Sequence, residues 1–201
     1  SCYLKPAKGR SNLQIETRAL ARQLLMDGTR CTGVRYAVGS EMREAYAARE
    51  VIVSTGSINS PQLLELSGIG RPEVLKAQGI DVRHALPGVG ENLRDHWSPR
   101  MKWSITQPGV TYNDTMRGLG MVRHVLRYAL KRDGFLAMSA SPIRAYARSR
   151  EGLASPDIGI AFMAFLMDNY ALAPNRGLTA IAHQLRPESQ GSVHIRSADA
   201  A

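Results

Sequence analysis

The sequence contains no apolar stretch long enough to cross a membrane and has only two cysteines. Its longest apolar run, residues 158–167, falls well short of the about 20 residues that a membrane-spanning helix needs. No secretory signal pattern opens the chain. We therefore expect a cytoplasmic protein in which Cys2 and Cys31 are reduced thiols rather than a disulfide.

A second absence concerns nucleic-acid recognition. The chain carries 26 Lys and Arg against 17 Asp and Glu, a formal net charge of +9, and such an excess can attract a polyanion. The arginines are nevertheless scattered, and no motif of stacking aromatic residues accompanies them. We therefore expect no nucleic-acid partner.

One basic segment, residues 117–132, departs from that scatter. Its apolar residues recur at helical spacing on one face, at Leu119, Val122, Leu126 and Leu130. Its basic residues recur every four positions on another face, at Arg123, Arg127 and Lys131. The pattern predicts an amphipathic helix with two open interpretations. It is either a solvated surface helix or a peripheral contact with a membrane surface, which would make the protein membrane-associated.

The most informative stretch is residues 56–70, GSINSPQLLELSGIG, which follows the apolar run 51–53. This order predicts a buried strand, a tight turn and a helix with Ser60 as N-cap and Pro61 at the first helical position. A glycine turn between strand and helix gathers backbone N–H groups and the positive end of the helix dipole. Such a point favours the phosphate or ribose of a dinucleotide.

The rest of the pattern predicts a mixed fold, α+β or α/β, with a strand meander before residues 56–70 and a second group of strands after them. The predicted strands are residues 13–17, 19–26, 31–38, 42–48, 50–54, 81–85, 100–107, 143–148, 157–167, 178–185 and 192–196. The predicted helices are the one after Ser60, residues 72–78 and residues 117–132.

These motifs resemble those of the glucose–methanol–choline (GMC) family of flavoprotein oxidoreductases. Residues 56–70 match the family signature small-small-x-x-Ser/Thr-Pro-x-aliphatic-aliphatic-x-x-Ser-Gly-aliphatic-Gly, and residues 86–96, LPGVGENLRDH, resemble its Pro-Gly-Val-Gly-Glu-Asn-Leu-x-Asp-His segment. Residues 3–7 with 12–15 resemble its lead-in, and residues 185–191 resemble a strand entry in its substrate domain. On these four landmarks in order, the chain is identified as a member of the family.

The resemblance implies a two-domain, FAD-dependent oxidoreductase. Residues 1–95 would be part of the FAD-binding domain, and residues 96–201 part of a substrate domain built on an antiparallel sheet. The family's opening Gly-x-Gly-x-x-Gly loop and its closing histidine-bearing segment have no counterpart in this sequence. We therefore expect an internal fragment with no catalytic residue and no metal site of its own, which does not retain FAD by itself.

The resemblance also implies five cofactor-binding positions. Ala21 would present its backbone to the flavin adenine, and Ser54, Thr55 and Gly56 would form the turn that approaches the cofactor. Asn92 would lie in a loop beside the flavin. Each position has a structural alternative: an inward-facing strand residue at Ala21, an ordinary turn before the helix, and a capped turn at Asn92.

Three substrate-binding residues, Ala161, Phe165 and Met167, are implied in the same way. They share one parity of the predicted strand 157–167, and ordinary sheet core is the alternative. Choline-active relatives carry a glutamate where this chain has Pro142. Because a buried cation without a partner is costly, the apolar residues suit a neutral primary alcohol better than choline.

The activity that the resemblance implies is hydride transfer from a primary alcohol, choline-like or neutral, to flavin, with the catalytic base outside this chain. The electron acceptor, oxygen or a quinone-like carrier, stays open. Two other functions also stay open. One is the hydroxynitrile cleavage that some relatives perform on the same scaffold, and the other is a catalytically inactive structural or interaction module.

Overall fold

A computed structural model describes residues 2–169 and 171–200. Contacts group these residues into two compact units: a first unit of residues 2–93 with 190–200, and a second unit of residues 94–189. The mixed α/β class is confirmed by this architecture, whose larger sheets are antiparallel. The division into a cofactor domain and a substrate domain at residue 95 stays a prediction, and residues 190–200 pack with the first unit.

A three-stranded antiparallel sheet forms the body of the first unit. Its strands β1 (Ala19–Asp27), β2 (Arg30–Val38) and β3 (Glu41–Tyr46) lie side by side in chain order. Gly28 and Gly39 make the connecting turns with φ of +57° and +60°, which glycine adopts without a steric penalty. The predicted strands 19–26, 31–38 and 42–48 are confirmed.

Three helices and one parallel strand pair complete the first unit. The helices are α1 (Leu4–Ala7), α2 (Gly56–Leu66) and α3 (Pro72–Ala77), and β4 (Ile69–Gly70) pairs with β5 (His84–Ala85). The helix predicted at 72–78 is confirmed, whereas only two residues of the predicted strand 81–85 pair. The buried residues Leu24, Leu63 and Ile69 join β1, α2 and β4 in one apolar core. Cys2 and Cys31 are free thiols.

The start of α2 corrects the sequence prediction. Thr55 is the N-cap in place of Ser60, and Pro61 lies inside the helix. A proline there leaves one helical carbonyl, that of Ser57, without its usual donor. Ser57 is exposed, so water can solvate that carbonyl, and the helix tolerates the proline.

Three predicted strands, residues 13–17, 50–54 and 192–196, are not strands in the structure. Alternating apolar residues favour a strand only where a neighbouring strand supplies hydrogen-bond partners, and none of the described strands pairs with these segments. Val51 and Val53 instead pack their side chains against the apolar core.

The second unit is built on a four-stranded antiparallel sheet. Its order is β6-β11-β8-β7. The strands are β6 (Arg100–Ser104), β7 (Ile143–Ala147), β8 (Ile158–Met163) and β11 (Gly177–Gln184). The predicted strands 100–107, 143–148 and 178–185 are therefore confirmed with ends that differ by one to three residues.

The predicted strand 157–167 is wrong in its length, because β8 ends at Met163. The buried side chain of Asn113 forms hydrogen bonds with the backbone that follows the end of β8. Its Oδ1 accepts a hydrogen bond from the Leu166 N–H at 2.8 Å, and its Nδ2 donates to the Leu166 and Ala173 carbonyls at 2.9 and 2.8 Å. The short strands β9 (Met167–Asp168) and β10 (Ala171–Leu172) then form a separate hairpin.

Two helices and a 3₁₀ turn complete the second unit: α4 (Tyr112–Thr115), α5 (Leu119–Lys131) and Phe135–Ala137. The helix predicted at 117–132 is confirmed by α5. None of its residues is buried, and Leu119 and Leu130 are 87% and 82% exposed. Within the part of the chain that the structure describes, no helix is both long enough and apolar enough to cross a bilayer.

Candidate cofactor and substrate sites

The turn before α2 is open and rich in free backbone donors. Ser54, Thr55 and Gly56 are exposed, and Gly56 has a φ of +92°. A Cβ built at Gly56 would meet no atom within 4 Å. The Thr55 hydroxyl lies 3.0 Å from the Ser60 hydroxyl and caps no backbone N–H group, so the first N–H groups of α2 stay available to a ligand. This geometry suits an anionic or polar group brought close to the backbone.

Ala21 lies near the segment that leads into this turn. It is half-buried in β1 opposite Tyr36, and it packs on the same apolar core as Val53. A register shift follows it between Ala21 and Gln23. The structure thus brings Ala21 and the approach to the turn onto one core, through side chains that the sequence alone did not link.

Asn92 is exposed with a φ of +59°. Among the described residues, no hydrogen bond joins its side chain to Ala21 or to the turn at 54–56. Its neighbour Leu93 exchanges two backbone hydrogen bonds with Gly191, at 2.9 and 2.8 Å. The role of Asn92 therefore stays a prediction.

A network of ionisable side chains around the buried Glu65, which we call the clasp, was not predicted from the sequence. It consists of Glu65, His194, Glu91 and Arg71. Glu65 is fully buried; its Oε1 lies 2.6 Å from His194 Nδ1, and its Oε2 accepts from the Ile195 N–H at 2.9 Å. His194 Nε2 lies 3.2 Å from Glu91 Oε1, which also accepts from Arg71 Nη1 at 2.7 Å.

The clasp favours the ionised form of Glu91. The hydrogen bond from Arg71 lowers the pKa of the Glu91 carboxyl below its usual value, and the hydrogen bond with His194 acts in the same direction. Both ring nitrogens of His194 face carboxyl oxygens, Nδ1 that of Glu65 and Nε2 that of Glu91. The clasp links the helix that begins at the candidate turn to the loop that carries Asn92.

Glycines of the two sequence signatures make room for the clasp. A Cβ at Gly90 would collide with the Val193 carbonyl and lie 2.7 Å from the His194 ring, and Gly90 has a φ of +78°. A Cβ at Gly70 would lie 3.1 Å from Glu65 Cγ. The sequence contained one indication of this network: Glu65 lies between Leu64 and Leu66 in a helix with several leucines, and a glutamate that is buried there needs a partner.

The predicted substrate residues line two cavities on one face of the second unit's sheet. Phe165 and Met167 line a cavity of about 610 Å³, and Ala161 lines a smaller one of about 260 Å³. Because β8 ends at Met163, strand alternation does not carry over to Phe165 and Met167, and the shared parity was the wrong reason for grouping them. Met163 borders both cavities and separates Ala161 from the other two.

Two histidines of the second unit stack on each other, and one of them, His183, borders the smaller cavity. The rings of His96 and His183 have centroids 5.0 Å apart, and the backbone N–H of His96 donates to Asp95 Oδ1 at 2.8 Å. Asp157 accepts from both the N–H and the hydroxyl of Ser149, and these hydrogen bonds lower the pKa of its carboxyl. Over residues 2–169 and 171–200, no group of three or more His, Cys, Asp and Glu side chains is placed to hold a metal ion.

Comparison with known proteins identifies relatives of the chain. Residues 1–98 match the family model described as GMC oxidoreductase. The chain is 38% identical over 204 aligned positions to the oxygen-dependent choline dehydrogenase of Photobacterium profundum, covering 99% of this chain and 35% of that protein. It is 37% identical to the human mitochondrial choline dehydrogenase, covering 98% of this chain and 33% of that protein. The chain spans about a third of the length of the curated relatives it matches.

Solved structures share the fold. A crystal structure of formate oxidase superposes with a TM-score of 0.84 at 23% identity, covering 96% of this chain and 39% of that one. Pyridoxine 4-oxidase from Mesorbium loti gives a TM-score of 0.76 at 23% identity, covering 97% and 35%. At these identities the superpositions establish the fold of both units and leave the reaction to be argued from the residues.

Proposed function

The chain belongs to the GMC oxidoreductase family, and on that basis we propose that the protein containing it is an FAD-dependent oxidoreductase acting on the CH–OH group of a small alcohol. The observation that carries the proposal is the intact 56–70 signature, which folds into an open turn and a helix. It lies in a chain that is 37–38% identical to choline dehydrogenases over 98–99% of its own length. FAD, when bound, supplies the two-electron acceptor for the alcohol.

The first unit would hold the cofactor in this proposal. The open backbone at Gly56 and the free N–H groups of α2 would bind a polar or anionic part of it, and Ala21 would contribute its backbone. Asn92 would bind nearby. The clasp would keep α2 and the Asn92 loop in register, since His194 joins Glu65 of the helix to Glu91 of the loop.

The second unit would hold the alcohol. Ala161, Phe165 and Met167 would exclude water from the carbon that loses hydride, while the hydroxyl proton goes to a base outside this chain. Flavin-dependent hydroxynitrile cleavage on the same scaffold is the second candidate. An inactive structural or interaction module is the third.

Purification of the full-length protein separates these candidates. We expect bound flavin whose oxidised absorbance bleaches anaerobically when a primary alcohol is added. Cyanohydrin cleavage with the flavin remaining oxidised would favour the lyase. A protein without flavin absorbance would contradict the proposal.

The 201-residue chain made alone is expected not to bind FAD tightly. It offers the turn, Ala21 and Asn92, but no Gly-x-Gly-x-x-Gly loop for the pyrophosphate, so few contacts offset the lost freedom of the ligand. Titration with FAD, followed by flavin fluorescence and equilibrium dialysis, checks this. A stoichiometric complex with a shifted flavin spectrum would contradict it.

We also propose that α5 makes a peripheral contact with an anionic membrane surface. Its apolar residues Leu119, Val122, Leu126 and Leu130 are 53–87% exposed, and residues 117–132 contain five basic side chains and no acidic one. An exposed apolar stripe beside a basic face is the arrangement of helices that lie in the membrane interface.

Charge reversal in α5 is expected to weaken vesicle binding of the full-length protein at least tenfold. Each basic residue near an anionic membrane surface contributes about 1 kcal/mol to the free energy of binding. R123E with K131E removes two such residues and adds two negative charges, so it should cost several of these contributions. Sedimentation with phosphatidylcholine vesicles containing one-third phosphatidylserine measures it. The control variant K5E with R10E makes the same net-charge change outside the helix. Equal losses in both variants, or no binding of the unaltered protein, would contradict the proposal.

A further inference from the structure

Basic side chains flank the substrate cavities of the second unit. Strand register places Arg100, Ile181, Ala161 and Arg144 in one row across β6, β11, β8 and β7. Directly opposed residues of antiparallel strands lie on the same face of a sheet. The row therefore has an apolar centre and a guanidinium-bearing residue on each edge strand.

The next row repeats the arrangement on one side. Lys102 lies opposite Thr179, which lies opposite Met163. Lys102 Nζ donates to the Met167 carbonyl at 3.0 Å, which holds its ammonium beside the 610 Å³ cavity. Arg100 and Lys102 thus border the same cavity as Phe165 and Met167.

These cations are not neutralised by neighbouring carboxylates. Arg100 and Arg144 form no ion pair or side-chain hydrogen bond with any described residue. Asp168, which is exposed, is the one acidic residue bordering the larger cavity among the described residues, and no acidic residue borders the smaller. The cavity walls therefore carry a net positive charge, which repels a quaternary ammonium and attracts an anion.

We propose that this cavity binds an alcohol that also carries a carboxylate, with Arg100 and Lys102 as the residues that select the anionic group. The inference rests on the proposed oxidoreductase function and deepens it. The carboxylate lies against β6, and the carbinol carbon lies near Ile181, which borders the same cavity. Oxidation would move a hydride from that carbon to the flavin and the hydroxyl proton to the external base, and the product would be an aldehyde that keeps the carboxylate.

Three alcohols of nearly equal shape test the proposal on the full-length enzyme with an artificial electron acceptor. They are choline, its uncharged isostere 3,3-dimethylbutan-1-ol, and 4-hydroxy-2,2-dimethylbutanoate, which carries a carboxylate in place of one methyl group. We expect kcat/KM for the hydroxy acid to exceed that for the neutral alcohol at least tenfold, with choline slowest. A neutral alcohol oxidised as fast as the hydroxy acid, or faster, overturns the inference and leaves the proposed function intact. Flavin that no alcohol reduces overturns both.

Variants identify the selecting residues. The double variant R100Q with K102Q should raise KM for the hydroxy acid at least tenfold more than it raises KM for the neutral alcohol, because only the hydroxy acid carries the anion that the two cations bind. The control R150Q removes an exposed arginine of the same unit that borders neither cavity and should change neither substrate. Equal losses for both substrates in the double variant would contradict the assignment.

Inhibition of the unaltered enzyme supplies a measurement that needs no variant. We expect 3,3-dimethylbutanoate to compete with the neutral alcohol and the trimethylammonium compound of similar size to compete at least tenfold more weakly. The reverse order would overturn the inference.

Discussion

Replacing His194 with leucine is expected to destabilise the first unit by about 3–5 kcal/mol, because Glu65 would remain fully buried with only the Ile195 N–H as a hydrogen-bond partner. Leucine has no side-chain nitrogen, so Glu65 and Glu91 would both lose the contact that they make with the His194 ring. Urea unfolding of the full-length protein, followed by far-ultraviolet circular dichroism, measures the loss. H194Q should lose less, since its amide can still donate to both carboxylates.

The double variant E65L with H194L provides the control for this result. It removes the buried carboxyl together with its histidine partner, so the protein should recover much of the stability that the single variant loses. If H194L costs less than about 1 kcal/mol, or if the double variant is no better than the single one, the contact between Glu65 and His194 does not stabilise the first unit as its geometry indicates.

Replacing Gly56 with valine in the full-length protein is expected to abolish flavin retention, with at least a hundredfold loss of affinity. A branched side chain would occupy the open space beside Gly56, where we propose that the cofactor contacts the protein backbone. The cost to the fold is limited to backbone strain at a φ of +92°, about 1–3 kcal/mol, because the added atoms meet nothing within 4 Å. The flavin-to-protein absorbance ratio measures the result.

Gly79 offers a matched control for that substitution. It also has a positive φ, +69°, and a Cβ there would likewise meet no atom within 4 Å. G79V therefore imposes similar backbone strain in the same unit at the end of α3, away from the candidate turn. A normal flavin ratio in G56V, or equal losses in G56V and G79V, would show that the turn is structural only.

Local patterns predicted the elements whose stabilising partners are close in sequence. The strands β1 to β3 are joined by tight glycine turns, and α5 has a regular apolar stripe, so both could be predicted. Residues 13–17 alternate between apolar and polar, and residues 50–54 contain a short apolar run, but strand pairing depends on a neighbouring strand that neither pattern encodes. The start of α2 was misplaced because Ser60-Pro61 is a strong local start signal, whereas the helix tolerates Pro61 inside it with the Ser57 carbonyl exposed to water.

The candidate sites divide in the same way. The turn at Gly56 was predicted from its own sequence, and its openness is a property of its immediate backbone. The clasp joins Glu65 to a histidine 129 residues later, and the bend after β8 depends on Asn113, 53 residues before Leu166. No periodicity in the sequence connects residues so far apart. The basic edge of the cavity likewise depends on strand order, because β11, the last of the four strands in the chain, lies between β6 and β8.

The two hydrogen bonds between Leu93 and Gly191 join residues that the ribosome makes at very different times. The chain leaves the first unit at Leu93 and re-enters it at Gln190, so the whole second unit is synthesised before the first can be finished. At about 5–20 residues per second, the 129 residues between Glu65 and His194 take roughly 6–26 s to emerge. During that interval the Glu65 carboxylate has no partner and stays hydrated, which keeps α2 from docking fully. The contact between Glu65 and His194 can therefore form only after the whole second unit has been synthesised.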